Sequence, residues 1–525
     1  MSEPPAPHAS DASQPRAGGA SETAASSRAS APALPTPTTP GVPAPPPPSA
    51  SGALTACASS VPEAVTRQSP GVLESPTQPP VLRSSDVPDQ SLAQPSSVPE
   101  LSPSGSSSVP EVSAARSSSS PALSASRLAS VPVPRDLVVL YAPPWHEPTR
   151  FSKHHLASFF AAHGSRVLYV EAPLQPLGLR RGRAFVRELA RLRHGPTAVG
   201  ERLWVTRHFV PIPYHAATRW TSSRLANRLG QRLLAPRLRA DLQRLGFASP
   251  VLIAGLPHAV DALPGLRWTT LVYHCADDYA HMRGFPSTLP QLEAELCRRA
   301  DLVVTTSERL AQTRRLWNPR TVWVPNGADV EHFGQVAGPA PELASVGRPV
   351  IGFIGGLSQW IDVELLATLA VARPDWSLVL IGPLGSGIDV APLRRLPNVH
   401  LLGSRPYASL PSYLAAFDVA LIPFTHDPVT AAADPIKVYE YLAAGVPVVA
   451  TDLPALRRLA HVVRLADSPA AFVAQVEAAV HAGRQAGRAA RQAEAARHSW
   501  SSRFERLAAL LQAAQGVAPG PACAS

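Results

Sequence analysis

From residue 136 onward, short apolar runs alternate with segments whose apolar residues recur at helical spacing. LVVLYAP (137–143), RVLYVEAP (166–173), VLIAGLP (251–257), TTLVYHC (269–275), DLVVTTS (301–307) and TVWVPNG (321–327) are near-continuous apolar runs. Between them lie amphipathic stretches such as SKHHLASFFAAHG, which closes at Gly164, and ERLAQTRRLW. A strand that is apolar along its whole length is covered on both faces, which describes a parallel sheet with helices on either side. A Gly/Pro/Ala-rich link at about 334–348 separates this series from a second one: PVIGFIGG (349–356), WSLVLIGP (376–383), VHLLG (399–403), VALIPF (419–424) and PVVATD (447–452). The last helical stretch runs from Ser468 to about Gln512, broken near Gly483–Gly487. The pattern predicts an α/β fold of two Rossmann-like domains, residues 135–335 and 346–480, with helix over 481–512. Ligands of such sheets sit at the carboxyl ends of the strands, so two facing halves make an interdomain cleft.

Composition adds a third region. Every Phe, Trp and Tyr lies at or beyond Tyr141, and the preceding chain is dense in Ala, Pro and Ser. Such a segment cannot bury enough apolar surface to offset its chain entropy, so residues 1–134 are expected to be a disordered tail. No run of about 18 apolar residues occurs, and no transmembrane helix is expected. The start, MSEPPAPHAS, has neither the basic nor the apolar region of a secretory signal. Cys57, Cys275, Cys297 and Cys523 show no CxxC pairing, which fits a reducing compartment and argues against a zinc site. The expected location is cytoplasmic.

Charge is skewed as well. The net charge is +10, and of 48 basic residues only Lys153 and Lys437 are lysine, leaving 48 − 2 = 46 arginines. With the high Ala content this reads as genome composition, and no nucleic-acid partner is expected. Against that background a lysine can mark a place where a compact ammonium is chemically wanted, although two survivors by chance read as well. The arginines crowd LRRGRAFVRELARLRHG (179–195) and RWTSSRLANRLGQRLLAPRLRADLQRLG (219–246), where Leu, Phe and Val keep helical spacing with Arg on the other face. A basic amphipathic helix of this kind is either an ordinary solvated face or a peripheral contact with an anionic membrane.

The segment richest in candidate chemistry is DPIKVYEYLAAGVPVVATD (434–452). Asp434 and Pro435 stand where an N-cap and a first-turn proline belong, and Gly445 and Pro447 close the helix. Lys437 and Glu440, three apart, share a face. A carboxylate there can accept both ribose hydroxyls of a nucleotide, while a lysine and free N–H groups at the helix start hold a diphosphate. The same pair also reads as a surface ion pair. GFIGGLS (352–358) places Gly355 and Gly356 in a turn that lets backbone approach a phosphate. His274, Asp277 and Asp278 follow a strand end, where they can orient sugar hydroxyls or place charge near a developing oxocarbenium; a core histidine with two loop-capping aspartates is the other reading. His146, Arg150, Lys153 and His154 surround the next helix start, where an anion or acceptor can bind.

Together these pieces resemble GT-B glycosyltransferases, especially retaining enzymes of the group-1 class. The 434–452 segment is similar to their donor-binding signature, VPNGADVEHF (324–333) to their interdomain Asn-Gly-x-Asp segment, VIGFIGGLSQWIDVELL (350–366) to their donor-domain strand and glycine turn, and VYHCADDY (272–279) to the strand ending in their catalytic-site histidine. The likeness covers roughly 136–512 and looks nearest to bacterial cell-surface polysaccharide and teichuronic-acid-type transferases. It implies a nucleotide-diphospho-sugar donor held by Gly355, Gly356, Asp434, Lys437 and Glu440, a saccharide or lipid-linked acceptor, catalytic-site roles for His274, Asp277 and Asp278, and interdomain roles for Asn326 and Gly327. It further implies retention, no resident cofactor, no metal, and a terminal helix that crosses back onto the first domain. Two departures stand out. The first of the family's two glutamates, eight positions before Glu440, is Ala432, and the usual Arg after the donor-domain glycine is Gly356. A GT-B nucleotide-sugar epimerase and a non-catalytic scaffold are the competing readings.

Overall fold

The computed structural model describes residues 131–176, 183–192, 195–335, 337–385 and 387–515. Apart from residues 131–134, the tail expected over 1–134 lies outside the described residues, as does part of the arginine-rich stretch 179–195. The first half contains the strands β1 (Asp136–Ala142), β2 (Arg166–Glu171), β3 (Thr197–Gly200), β4 (Leu203–Thr206), β5 (Val251–Ala254), β6 (Thr270–Cys275), β7 (Leu302–Thr305) and β8 (Thr321–Trp323). They form one sheet in the order β3-β4-β2-β1-β5-β6-β7-β8, parallel throughout except for the β3–β4 hairpin. The second half contains β9 (Val350–Ile354), β10 (Ser377–Ile381), β11 (Val399–Gly403), β12 (Val419–Ile422), β13 (Val448–Thr451) and β14 (Val463–Ala466) in the order β11-β10-β9-β12-β13-β14. Both sheets wind outward from a first strand in the middle, so each has a switch point, β1/β5 and β9/β12, where a crevice must open. Two parallel-sheet α/β halves are what the apolar pattern predicts.

The burial pattern explains why the strands read as unbroken apolar runs. Leu137 and Val139 of β1 pack on one face of the sheet with Leu156, Phe160 and Phe504, while Val138 and Leu140 pack on the other with Leu234, Leu238 and Leu292. In the second half, Ile351 and Phe353 face Leu366, Leu369 and Phe472, whereas Val350 and Ile354 face Tyr441, Leu442 and Leu414. Alternate residues therefore enter different cores, and none reaches water. Helix starts follow the side-chain chemistry: Ser307, Asp362 and Ser468 each accept a backbone N–H two or three residues on. Gly445, at φ +70°, ends the helix Ile436–Ala443, and an added Cβ would meet Arg488 at 2.7 Å.

Three features depart from the sequence pattern. The short strands β3, β4 and β14 are not distinguished by it, since four residues carry too little periodicity. The Arg-rich helix starts at Arg224 rather than 219, capped by Ser223, and runs through Pro236 to Arg244. The last helical stretch is three helices, Pro469–Ala482, Arg488–Ala496 and Trp500–Gln515. The third leaves the second half altogether: Trp500, Phe504, Leu507, Ala508 and Leu511 bury against Phe159, Phe160 and the first sheet. Trp500 stacks on His155 with ring centroids 5.1 Å apart.

Replacing Trp500 by Ala removes the first and largest of these contacts. We expect a loss of about 3–5 kcal/mol in apparent stability by urea denaturation. A loss below about 1 kcal/mol would show that this helix is draped on the first half without supporting it.

Candidate active site

The two halves meet at the segment that follows β8. Asn326 donates its backbone N–H to Asp434 Oδ2 (2.7 Å) and its side-chain amide to the Asp434 carbonyl (2.7 Å). The second Asp434 oxygen accepts from Tyr439 Oη (2.7 Å) and Arg458 (3.3 Å). Burial raises the Asp434 pKa, and Arg458 and these hydrogen bonds counter the shift. Asp434 is thus a clamp between the halves, fully engaged by protein groups. Beside it, Gly327 lies under the chain entering the last helix. An added Cβ would sit 2.5 Å from the His498 carbonyl, which Ala328 N–H contacts at 2.9 Å.

Three residues past Asp434, Lys437 pairs with Glu440 Oε2 at 2.7 Å. Glu440 is only 1 % exposed, its Oε1 has no hydrogen-bond partner, and burial raises its pKa against the pull of Lys437. Tyr407, which sequence reasoning does not single out, follows β11, and its buried hydroxyl is also unpartnered. His332 stacks on Tyr407 at 4.6 Å, and His155 reaches it from the first half at 5.9 Å with its own Nε2 unpartnered. Gly355 follows β9, and its carbonyl comes so close to Gly382 that a Cβ there would approach to 1.8 Å. Around this point Gly355, Gly382, Ser404, Arg405, Tyr407 and Lys437 of the second half face Pro148, Thr149 and Arg150 of the first. Arg150 sits over the Trp145 ring at 5.2 Å. The space between them at this point is about 20 Å³, room for a single water, while a cavity of about 290 Å³ lies between Thr306, Glu308 and Trp323 of the first half and Ala431, Asp434 and Arg458 of the second. Gly356 is next in the turn, with nothing nearer to an added Cβ than Trp360 at 3.9 Å.

A second focus lies at the β1/β5 switch point. Tyr141, at φ +61°, breaks the register between β1 and β2 just before the Pro143–Pro144 turn. His154 braces the loop that follows: its Nδ1 accepts from Phe151 N–H (3.0 Å), so Nε2 carries the proton donated to the Pro144 carbonyl (3.0 Å). Both ring nitrogens are used, which makes His154 a structural brace. Lys153, in the first turn of Ser152–Ala162, is 5 % exposed, and no hydrogen bond or ion pair joins its ammonium to another described residue. Its stem fits because Gly255 has no side chain; a Cβ there would lie 2.6 Å from Lys153 Cε. Burial lowers the Lys153 pKa and raises that of Asp277, and each charge favours the other. His274 is 5 % exposed with Nδ1 unpartnered, and burial, then Lys153, holds its pKa near 3. Lys153, His274 and Asp277 therefore form one electrostatically coupled group. Asp278 adds to the upward shift of Asp277 but is itself locked by Arg314 (3.2 Å) and His281 (2.8 Å). Arg314 is in turn held by the buried Glu293.

The structure thus brings together Lys437, Glu440, Gly355 and Arg150 at one focus, and Lys153, His274 and Asp277 at the other. Asp434, Asp278, His154, Asn326 and Gly327 instead hold the scaffold. His155, Tyr407 and His332 complete the first focus. The sequence signal for Tyr407 is only that it follows a strand end, and for His155 only that it adjoins Lys153 and His154. Ala432, where the family's first glutamate would stand, is 1 % exposed and packs with the apolar cluster of the first half. Among the described residues no group of three or more His, Cys, Asp and Glu is placed to hold a metal.

Comparison with known proteins fits this architecture. Residues 348–481 match the family described as Glycosyl transferases group 1. TuaH of Bacillus subtilis, named as a teichuronic acid biosynthesis glycosyltransferase, is 30 % identical over 209 residues, 37 % of this chain and 53 % of TuaH. A GDP-mannose-dependent alpha-mannosyltransferase of Mycolicibacterium smegmatis is 36 % identical over 133 residues, 25 % of this chain and 31 % of the relative. The chain therefore spans about half or less of the length of these relatives. Among solved structures, Anabaena HepE in complex with UDP aligns over 72 % of this chain and 100 % of its own, with a TM-score of 0.51 at 19 % identity. An E. coli trehalose-6-phosphate structure bound with UDP-2-fluoro glucose aligns over 73 % and 100 %, with a TM-score of 0.53 at 14 % identity. The fold is GT-B.

His274 gives a pH signature. Its pKa is lowered in the folded protein, so its contribution is complete above pH 6.5 and shrinks as pH falls toward 3. Between pH 7 and pH 5 the wild type should lose on the order of 2 kcal/mol more stability than His274→Gln, measured by urea denaturation at both pH values. Identical pH dependence in the two proteins would place His274 in contact with water.

Proposed function

We propose that this protein is a glycosyltransferase, moving a sugar from a nucleotide-diphospho-sugar held by the second half to an acceptor held by the first. The observation that carries the reading is the convergence of unpartnered, buried polar atoms, Glu440 Oε1, Tyr407 Oη and His155 Nε2, on the cleft beside the segment that matches the group 1 family. Groups desolvated without partners are costly unless a ligand completes them. Glu440 accepts the ribose hydroxyls, and the Gly355 turn, Lys437 and Arg150 hold the diphosphate. HepE has been solved with UDP-glucose, which supports a nucleotide-sugar donor. With room for only one water between Arg150 and Lys437, this part of the cleft must widen to admit a donor.

At the other focus, His274 and Asp277 face the reacting sugar, with Lys153 supplying charge that Asp277 balances. Retention of configuration and independence of a metal belong to the same proposal. Arg150, Arg405 and Lys437 all line the donor cavity, Arg405 paired with Glu342 and Lys437 with Glu440, so Arg150 brings the remaining cation and the helix start at Ile436 its free N–H groups. The likeness to TuaH supports a role in cell-surface polysaccharide synthesis. A saccharide or lipid-linked acceptor, and a place at the cytoplasmic side of a membrane that the protein touches peripherally, belong to the same proposal. Among the described residues no helix is long and apolar enough to cross a membrane.

Thermal-shift and calorimetric titration of the full chain with UDP-, GDP-, dTDP- and ADP-sugars tests the reading. One nucleotide series should stabilise the protein, by about 2.7 kcal/mol at a concentration one hundred times its Kd. Glu440→Gln and Lys437→Ala should each weaken it at least tenfold. Stabilisation by none of the nucleotides would sink the donor assignment, and binding without turnover on any acceptor would favour a scaffold.

A further inference from the structure

One motif remains outside the cleft. The helix Arg224–Arg244 carries six arginines and a single acid, Asp241. That acid is buried and held by Thr206 (2.8 Å) and His208 (3.2 Å), so it contributes nothing to the outer surface. The inner face of the helix is Ala226, Asn227, Gly230, Gln231, Leu234, Ala235, Leu238, Asp241 and Leu242. The outer face, at spacings of three and four, runs through Leu225, Arg228, Arg232, Leu233, Pro236 and Arg237. Leu225 is 59 % exposed and Leu233 45 %, and no carboxylate lies within the 4 Å ion-pair distance of Arg232 or Arg237 among the described residues.

A second helix continues this surface. Phe185, in Arg183–Arg191, packs its ring on Phe209 (6.4 Å), and Arg237 donates to the Phe209 carbonyl (3.4 Å). The two helices therefore flank the same segment beside the edge of the first sheet. The second helix exposes Val186 (63 %) and Leu189 (39 %), and Trp220, just before the first, is 51 % exposed. Of nine large hydrophobic residues exposed among those described, five thus lie on these two helices and the turn before them. Apolar side chains beside arginines without carboxylate partners match no feature of a solvated helix face, which would shed the leucines and mix the charges.

We propose that this two-helix face of the first half docks on an anionic phospholipid surface. Arg232 and Arg237 pair with headgroup phosphates, while Trp220, Leu225 and Leu233 enter the interfacial region; Arg228, on the same face, is already paired with Asp261 at 3.6 Å. Charge complementarity selects the occupant: a zwitterionic bilayer offers no net attraction to the arginines, and a protein partner is not needed to cover residues of this kind. If the acceptor is lipid-linked, a point that rests on the proposed function, the same docking places the acceptor-binding half at the membrane that carries it.

Flotation of the full chain with phosphatidylcholine vesicles, alone and containing about one third phosphatidylglycerol, tests the docking. Wild type should float with the anionic vesicles at least tenfold more than with neutral ones, and lose that binding between about 0.1 and 0.5 M NaCl. Arg232→Glu/Arg237→Glu should abolish it, and Leu225→Ser/Leu233→Ser should reduce it several-fold. Both variants alter exposed positions, and each should keep the wild-type melting temperature and nucleotide-sugar affinity, which separates loss of docking from failure of the donor reading. Equal flotation with both vesicles, none with either, retention by the charge-reversed variant, or binding to duplex DNA with none to vesicles would each overturn the proposal.

Discussion

The structure depends on a carboxylate between two halves that otherwise have separate cores. Asp434 accepts from Asn326, Tyr439 and Arg458, so residues after β8, in the helix Ile436–Ala443 and beyond β13 all converge on one buried charge. Breaking such a network is expensive because its members are left desolvated without partners. The clamp fixes the start of the helix that carries Lys437 and Glu440. The last helix reinforces the joint: it starts beside Gly327 and ends packed on the first half, so the chain crosses between the halves twice.

From that joint the two polar foci follow. Each sheet opens a crevice where its strand order reverses, and the halves turn these crevices toward one another. Lys153, His274 and Asp277 occupy the first crevice, and Glu440 with the Gly355 turn the second, while Arg150 and His155 reach across from one to the other. The helix Ser152–Ala162 links them, since Lys153 belongs to one focus and its neighbour but one, His155, to the other. Dry, opposed charges and unpartnered acceptors in a cleft suit chemistry in which charge develops on transfer.

Residue chemistry and residue position part company at several candidates. Asp277 and Asp278 are adjacent and indistinguishable in type, yet Arg314 claims Asp278 and leaves Asp277 to face Lys153. His154 and His155 are likewise adjacent, and one braces a loop while the other enters the cleft with a free nitrogen. Neighbouring residues on a helix or loop point in different directions, and only the partners brought from elsewhere in the chain decide which of them remains available.

The sequence by itself determined the two parallel sheets and the helix with Lys437 and Glu440, because unbroken apolar runs and the closing Gly445 act locally. The expected N-cap failed, since the helix starts after Pro435 with no side-chain cap and Asp434 is turned to Asn326 instead. The sequence spacing set Leu and Arg of the arginine-rich helix on opposite faces; that Leu225 and Leu233 share the exposed face with Arg228, Arg232 and Arg237 was settled by which side packs on the first sheet. Only the tertiary structure decided that Asp434 is a clamp, that Ala432 packs into the opposite half, and that Tyr407, His332 and His155 share a site with Glu440. Those residues lie more than a hundred positions apart in places, and their meeting depends on strand order and domain closure, which no local spacing encodes.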